Sequence, residues 1–344
     1  MLSGLRVVEL SDPSGWFAGR MLADLGADVT LIIDEQLRAT LPYEWAAFNA
    51  GKHLADFDEA LLRDADVVFE TGVTDLYERL AGPQTVWCAL TPFGRTGPKS
   101  GESASDLSVQ AQSGVMYMTG DPDRAPVACS SPTSSHHGCA DAVAGIMAAL
   151  LQREKTGRGQ LVDVSMQEAH LMATMSRVGQ WSIVGGRGKR AGALMRVGET
   201  VQREIWPCKD GFVSFGLRGG PARIPGLKRM VAWMDEDGLA TPALRERDWD
   251  SYNHNLLSQE EVAEISEPIA AFFMTKTMTE LYDAALTRGL MLAPANTARE
   301  ILASRQYASR NLFVQRDDPA LGSIPLVRSF VVSDAVPGVQ GVAP

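Results

Sequence analysis

The chain has 344 residues, 45% of them hydrophobic and 22% charged, with a formal net charge of −10. That length exceeds a usual single domain, and the composition is that of a soluble globular protein. The acidic balance argues against a nucleic-acid surface or an acidic membrane as the main partner and leaves room for a local basic pocket. No apolar run approaches the ~20 residues that would span a bilayer. The start, Met1-Leu-Ser-Gly-Leu-Arg6, has no apolar core of a signal peptide. Cys88, Cys129, Cys139 and Cys208 show no CxxC pairing, so free thiols and a cytoplasmic location are expected.

The first segment alternates strand and helix. Residues 5–10 (LRVVEL) read as a buried strand and residues 11–15 (SDPSG) as a turn-rich loop. Residues 16–25 (WFAGRMLADL) read as a helix and 28–33 (DVTLII) as a second strand. This βαβ unit predicts a parallel sheet with a right-handed crossover. Ligands gather at the carboxyl ends of such strands, here the Asp12–Gly15 loop. The loop has neither GxGxxG nor Walker A spacing, which argues against a nicotinamide cofactor or ATP; a plain polar connector is the alternative. Helices are predicted over 57–63 and 75–80, with strands over 66–70 and 85–90. The last strand opens into Thr91-Pro-Phe-Gly-Arg-Thr-Gly-Pro-Lys-Ser100, long enough to cover a ligand, where Arg95 and Lys99 are available to phosphates unless they are simply solvated. Residues 105–113 read as a helix.

The stretch from Pro132 to Gln167 organises the rest. A helix is predicted over 136–153, with Ala140, Val143, Ala144, Met147 and Leu150 as its apolar stripe. Gly138, Ala142, Gly145 and Ala149 form a small-residue side. Ser134 or Ser135 is placed to cap the start, and Gly157 to end the helix in the left-handed conformation. A polar loop entering a helix N-terminus suits developing negative charge. His136, His137 and Cys139 lack an evident fourth ligand, so no metal is expected. A serine nucleophile at Ser135 with an adjacent histidine as base lacks the G-x-S-x-G elbow.

Beyond this, residues 168–181 read as a continuing helix. Gly185-Gly-Arg-Gly-Lys-Arg-Ala-Gly192 reads as a linker. Residues 205–208 and 212–217 form a hairpin about Asp210-Gly211. Arg218 to Gly226 is a glycine-rich loop, either a lid or a plain connection. Helices follow over 227–237, 260–273, 279–288 and 297–304. The resulting division is 1–184 large domain, 185–200 linker, 201–314 small α+β domain and 315–344 return to the large domain.

Taken in order and register, a set of short words resembles the family III CoA-transferases of the CaiB/BaiF type. They are Leu2-Ser-Gly-Leu-Arg-Val-Val-Glu-Leu10, Leu22-Ala-Asp-Leu-Gly-Ala-Asp-Val29, Asn49-Ala-Gly-Lys52, Phe93-Gly-Arg-Thr-Gly-Pro98, Asp106 with Gln110, and Arg153-Glu-Lys-Thr-Gly-Arg-Gly-Gln160. The resemblance covers nearly the whole chain. It implies a Rossmann-like large domain with a parallel sheet, a smaller α+β domain and an interlocked dimer. It also implies CoA transfer from an acyl-CoA to a carboxylic acid through an aspartyl anhydride, with CoA as substrate and no metal. Pro13, Ser14, Gly15, Lys52, Phe93, Gly94 and Arg95 match the family's CoA-contacting positions, with Lys52 expected near phosphate.

Counting along the family's Ala-Ala-Leu helix segment puts Ser135 where the nucleophilic aspartate belongs. No Asp or Glu lies between Ala125 and Ala140, and Asp141 falls within the helix. A serine ester is a poorer acyl donor than an anhydride, so Ser135 cannot substitute directly. The racemase branch needs a histidine where Ser105 stands and an aspartate in the Ser135 region, and lacks both here. The small domain, notably Trp206-Pro-Cys-Lys-Asp-Gly211, is similar to benzylsuccinate CoA-transferase subunits, an enzyme type built from two related chains. The implied partner is therefore a related Asp-bearing chain in a homo- or hetero-dimer. A silent acyl-CoA-binding scaffold and an altered acyl-CoA chemistry are the alternatives. The family's final C-terminal helix is expected to be missing after Gly341-Val-Ala-Pro344.

Overall fold

The apolar β-branched runs of the first third assemble as one parallel sheet. The computed structural model describes residues 1–33 and 35–332. The sheet has the strand order β3-β2-β1-β4-β5-β6. Its strands are β1 (Arg6–Leu10), β2 (Asp28–Ile32), β3 (His53–Ala55), β4 (Val67–Thr71), β5 (Val86–Thr91) and β6 (Leu161–Ser165). Every neighbour pair is parallel, with Val7 opposite both Val29 and Val67. This is the Rossmann strand order, and the expected α/β class holds. The order reverses direction between β1 and β4, which opens a crevice at their carboxyl ends.

The sheet is covered on both faces, so its central strands carry no polar alternation. Connecting helices are α1 (Trp16–Asp24), α2 (Glu35–Thr40), α3 (Pro42–Phe48), α4 (Glu59–Asp64), α5 (Leu76–Leu80), α6 (Asp106–Gln112), α7 (Val115–Met118) and α8 (Thr133–Thr156). The residues after β6 break into α9 (Met166–Leu171), a 3-10 turn (Met172–Thr174) and α10 (Met175–Val184), rather than one helix.

The buried face of α8 keeps Val143 and Leu150 of the expected stripe but is otherwise rotated onto the small-residue side. Gly138, Cys139, Ala142, Val143, Ile146, Ala149 and Leu150 are buried, whereas Ala140, Ala144 and Met147 face outward. The small residues are on the sheet side because the helix lies close to it. A Cβ on Gly138 would stand 2.8 Å from Leu90 Cδ1, and one on Gly145 2.7 Å from Val162 Cγ1.

The chain divides into two compact units, Met1–Met118 with Val127–Gly188 and Arg305–Pro344, and Thr119–Pro126 with Lys189–Ser304. The return to the first unit thus comes at Arg305, ten residues before the expected 315. The second unit contains β7 (Leu194–Val197), β8 (Thr200–Arg203), β9 (Ile205–Cys208), β10 (Gly211–Phe215), α11 (Ile224–Glu236), α12 (Pro242–Glu246), α13 (Gln259–Phe273), α14 (Met278–Arg288), β11 (Leu292–Pro294) and α15 (Ala298–Leu302). Its core gathers Trp206, Phe215, Phe272 and Phe273, and capping boxes at Ser258 and Thr277 start α13 and α14.

After α16 (Arg305–Ser309), a hairpin of β12 (Phe313–Asp318) and β13 (Gly322–Val327) belongs to the first unit. Arg20, buried in α1, ties it down by donating to Val327 O at 3.1 Å and to Ala47 O at 3.1 Å. The expectation of a missing C-terminal helix concerns residues that lie outside the described ones.

Candidate active-site cleft

A cleft of ≈ 670 Å³ opens at the carboxyl ends of β1, β4 and β5, beside the N-terminus of α8. Pro13, Ser14, Phe93, Gly94 and Ser135 all line it. Its position is the one at which doubly wound sheets bind ligands.

The loop after β1 is held from within. Ser14 N–H donates to Asp12 Oδ1 at 2.8 Å, and Asp12 N–H donates to Thr71 Oγ1 at 2.9 Å. Gly15 is not a lining residue but packs behind the loop; a Cβ there would stand 2.6 Å from Thr71 Cγ2. The loop after β5 turns at Gly94, where φ is +93° and the N–H donates to Thr91 Oγ1 at 2.7 Å.

Two expected cations are turned away from the cleft. Lys52 Nζ lies 2.7 Å from Glu9 Oε2, and both side chains are completely buried. It donates as well to Trp16 O at 2.9 Å and to Asn49 Oδ1 at 2.8 Å. Three acceptors exhaust an ammonium, so the expected contact of Lys52 with phosphate does not fit this structure. Burial pulls the Lys52 pKa down and the Glu9 carboxylate pushes it back up. Arg95 is likewise committed, to Glu70 at 3.3 Å and to Glu78 at 2.8 Å. Glu70 is buried at the end of β4 and requires a counter-charge. The signal for the first pair was a glutamate directly after the apolar Val7-Val8 pair of a buried strand, Leu5-Arg-Val-Val-Glu9.

Ser135 is buried at the first turn of α8, and its hydroxyl donates to Pro132 O at 3.0 Å. The helix begins three residues earlier than expected, at Thr133. Neither serine side chain caps it. The Asp106 carboxylate does, reaching from α6: Oδ1 accepts Ser134 N–H at 3.0 Å, Ser135 N–H at 3.3 Å and the Ser134 hydroxyl. Its Oδ2 accepts from Gln110 Nε2 at 2.5 Å. A carboxylate here meets both orphan N–H groups and the positive helix end. Asp106→Ala is expected to cost about 1–2 kcal/mol, the range of a lost cap, measured as a drop in the urea midpoint.

Near this start, His136 stacks edge-on against Phe17, with ring centroids 5.3 Å apart, and His137 packs against His170. His170 Nδ1 is 2.9 Å from Ser113 Oγ. Burial pulls the pKa of both His136 and His170 below the ordinary 6.5. Such a group binds its proton later in the folded chain than in the unfolded one. Its contribution is therefore complete above the unfolded value and lost as pH falls below it. The urea midpoint is expected to fall between pH 7.5 and about pH 5.5, and His170→Gln should weaken that dependence.

Cys139 is fully buried, its thiol donating to Ser14 O at 3.2 Å. Burial pushes its pKa up to about 12, so it is an inert thiol. Asp141 is exposed on the outer side of α8. Among the described residues no group of three or more His, Cys, Asp or Glu side chains is placed to hold a metal ion, and no helix is long and apolar enough to cross a membrane.

The Rossmann-ordered sheet thus places this cleft at its switch point, beside the Asp106-capped start of α8. The chain belongs to CoA-transferase family III, whose model matches residues 2–344. It is 27% identical to the succinyl-CoA:(R)-benzylsuccinate CoA-transferase subunit BbsE of Thauera aromatica, over 93% of this chain and 85% of that one. It is also 27% identical to the succinate–glutarate CoA-transferase of Agrobacterium fabrum, over 98% of this chain and 90% of that one. The crystal structure of a CaiB/BaiF family protein from Brucella suis shares the fold, with a TM-score of 0.79, 22% identity and coverage of 99% of this chain and 95% of that one.

Proposed function

We propose that this chain is one subunit of a hetero-oligomeric CoA-transferase, moving CoA between an acyl-CoA and a carboxylic acid with an Asp-bearing partner chain. The observation that carries the reading is the start of α8. Ser135 has no carboxylate to offer there, and its hydroxyl is spent on Pro132 O. The Asp106 carboxylate beside it is occupied on both oxygens by Ser134, Ser135 and Gln110. Anhydride chemistry needs a free carboxylate nucleophile that stays activated through each exchange. This chain would then contribute binding and assembly, and the partner the covalent step.

Assembly has its own support. Helix α10 buries none of its residues, and Met175, Trp181 and Ile183 are 58%, 54% and 83% exposed. A row of large apolar side chains in water favours association. Light scattering at micromolar concentration should give at least a dimer; a monodisperse monomer counts against the proposal.

The test of function is reconstitution. The purified chain with acyl-CoA and acceptor acid should show no turnover and no hydroxylamine-sensitive adduct by intact mass. Mixing it with an Asp-bearing paralogue from the same cell should give turnover, with the adduct on the paralogue. Turnover by this chain alone would overturn the subunit reading.

A further inference from the structure

The charges around the cleft do not suit the ligand's phosphates. The described lining residues include four carboxylates and one ammonium, Lys99; Asp12 and Asp106 already accept backbone N–H groups, and Glu44 and Glu102 are exposed. That ammonium is itself bonded to Gln112 Oε1 and rests over the Phe93 ring, 4.9 Å from its centroid. His136, the remaining titratable base in the lining, has its pKa pulled below the ordinary 6.5 by burial. The two other candidate cations cannot swing in cheaply. Lys52 would leave Glu9 buried and unpaired, and Arg95 would do the same to Glu70.

CoA carries a diphosphate and a phosphomonoester, roughly four negative charges. Its pantetheine arm is uncharged, with two amides whose N–H groups suit carboxylate acceptors. The lining also offers Leu41, Phe48, Val73, Leu90 and Met166 for methylenes and an acyl chain.

We infer that the cleft of this chain takes the uncharged pantetheine and acyl part of the ligand and repels its phosphates. The inference rests on the acyl-CoA reading above and specifies which part of that ligand is recognised. Like-charge repulsion across water is screened by salt. CoA affinity should therefore hold or rise, by up to about threefold, between about 20 mM and about 300 mM salt. A phosphate-binding site would show the reverse.

The experiment is titration calorimetry on the assembled protein with CoA, pantetheine and inorganic pyrophosphate. Pantetheine should bind at this chain's site with little dependence on salt, and pyrophosphate should not displace it. Glu44 and Glu102 are exposed, so Glu44→Gln with Glu102→Gln should fold normally. The double variant should tighten CoA several-fold at low salt and change pantetheine affinity far less, because glutamine keeps a side-chain carbonyl to accept from its amides. Because both changes lie in this chain, the difference reports its site and not the partner's. CoA binding that weakens with salt and does not respond to the variant would overturn the inference alone. Binding of neither CoA nor pantetheine at this chain would overturn the acyl-CoA reading together with it.

Discussion

Lys52→Met is expected to lower the unfolding free energy by about 3–5 kcal/mol, the cost of stranding a buried charge. The Glu9 and Lys52 side chains are both completely buried, with Nζ 2.7 Å from Oε2. Methionine fills the volume of the lysine stem but supplies no donor. Glu9 would keep only the Ser11 hydroxyl, which donates to its Oε1 at 2.6 Å. Rearrangement is closed off by α1. A Cβ on Gly19 would stand 1.7 Å from Glu9 Oε2, so the helix backbone already lies against the carboxylate. Pairing Lys52→Met with Glu9→Gln should recover most of the loss, because it removes both charges. Urea unfolding of the two variants checks this. Equal losses in the single and double variants would show that lost packing, not the unpaired charge, sets the cost.

The same pair shows what the sequence could and could not tell. The strands were legible because a sheet covered on both faces demands unbroken apolar runs, as in Val67-Val-Phe69 and Val86-Trp-Cys-Ala-Leu90. Helix α3 and strand β3 were not. The strand is three residues long, and its helix has no repeating apolar face to announce it. The face of α8 was only partly legible because alanines and glycines lie all round the helix, so periodicity alone does not tell that the Gly138, Ala142 and Ala149 side is pressed on the sheet. A lysine in a motif announces a charge, but its direction depends on Glu9, 43 residues away. The capping of α8 by Asp106 spans 28 residues and two helices. Local rules therefore proposed Ser134 or Ser135, the nearest competent side chains.

Ser135→Asp is expected to give at most trace acyl adduct in the isolated chain, at least about 10²-fold below the assembled enzyme, the scale of one lost oxyanion donor. The substitution restores the residue type at the position the family resemblance assigns to the nucleophile, but not its surroundings. In the rotamer of Ser135 the new carboxylate would face Pro132 O, an acceptor, at the place where the hydroxyl now donates at 3.0 Å. The N–H groups of Ser134 and Ser135, which would steady an anion at this helix start, are held by Asp106. The helix end is worth only ~0.3–1 kcal/mol to an exposed anion, and here it is shared between two carboxylates. Their proximity raises the proton affinity of one of them and so weakens the nucleophile. Adding Asp106→Asn should relieve that repulsion and raise the trace adduct, although Gln110 loses its carboxylate acceptor. Intact-protein mass spectrometry after borohydride trapping measures both variants. Full activity from Ser135→Asp alone would mean that the oxyanion donors are intact and that the missing carboxylate is the single defect of this site.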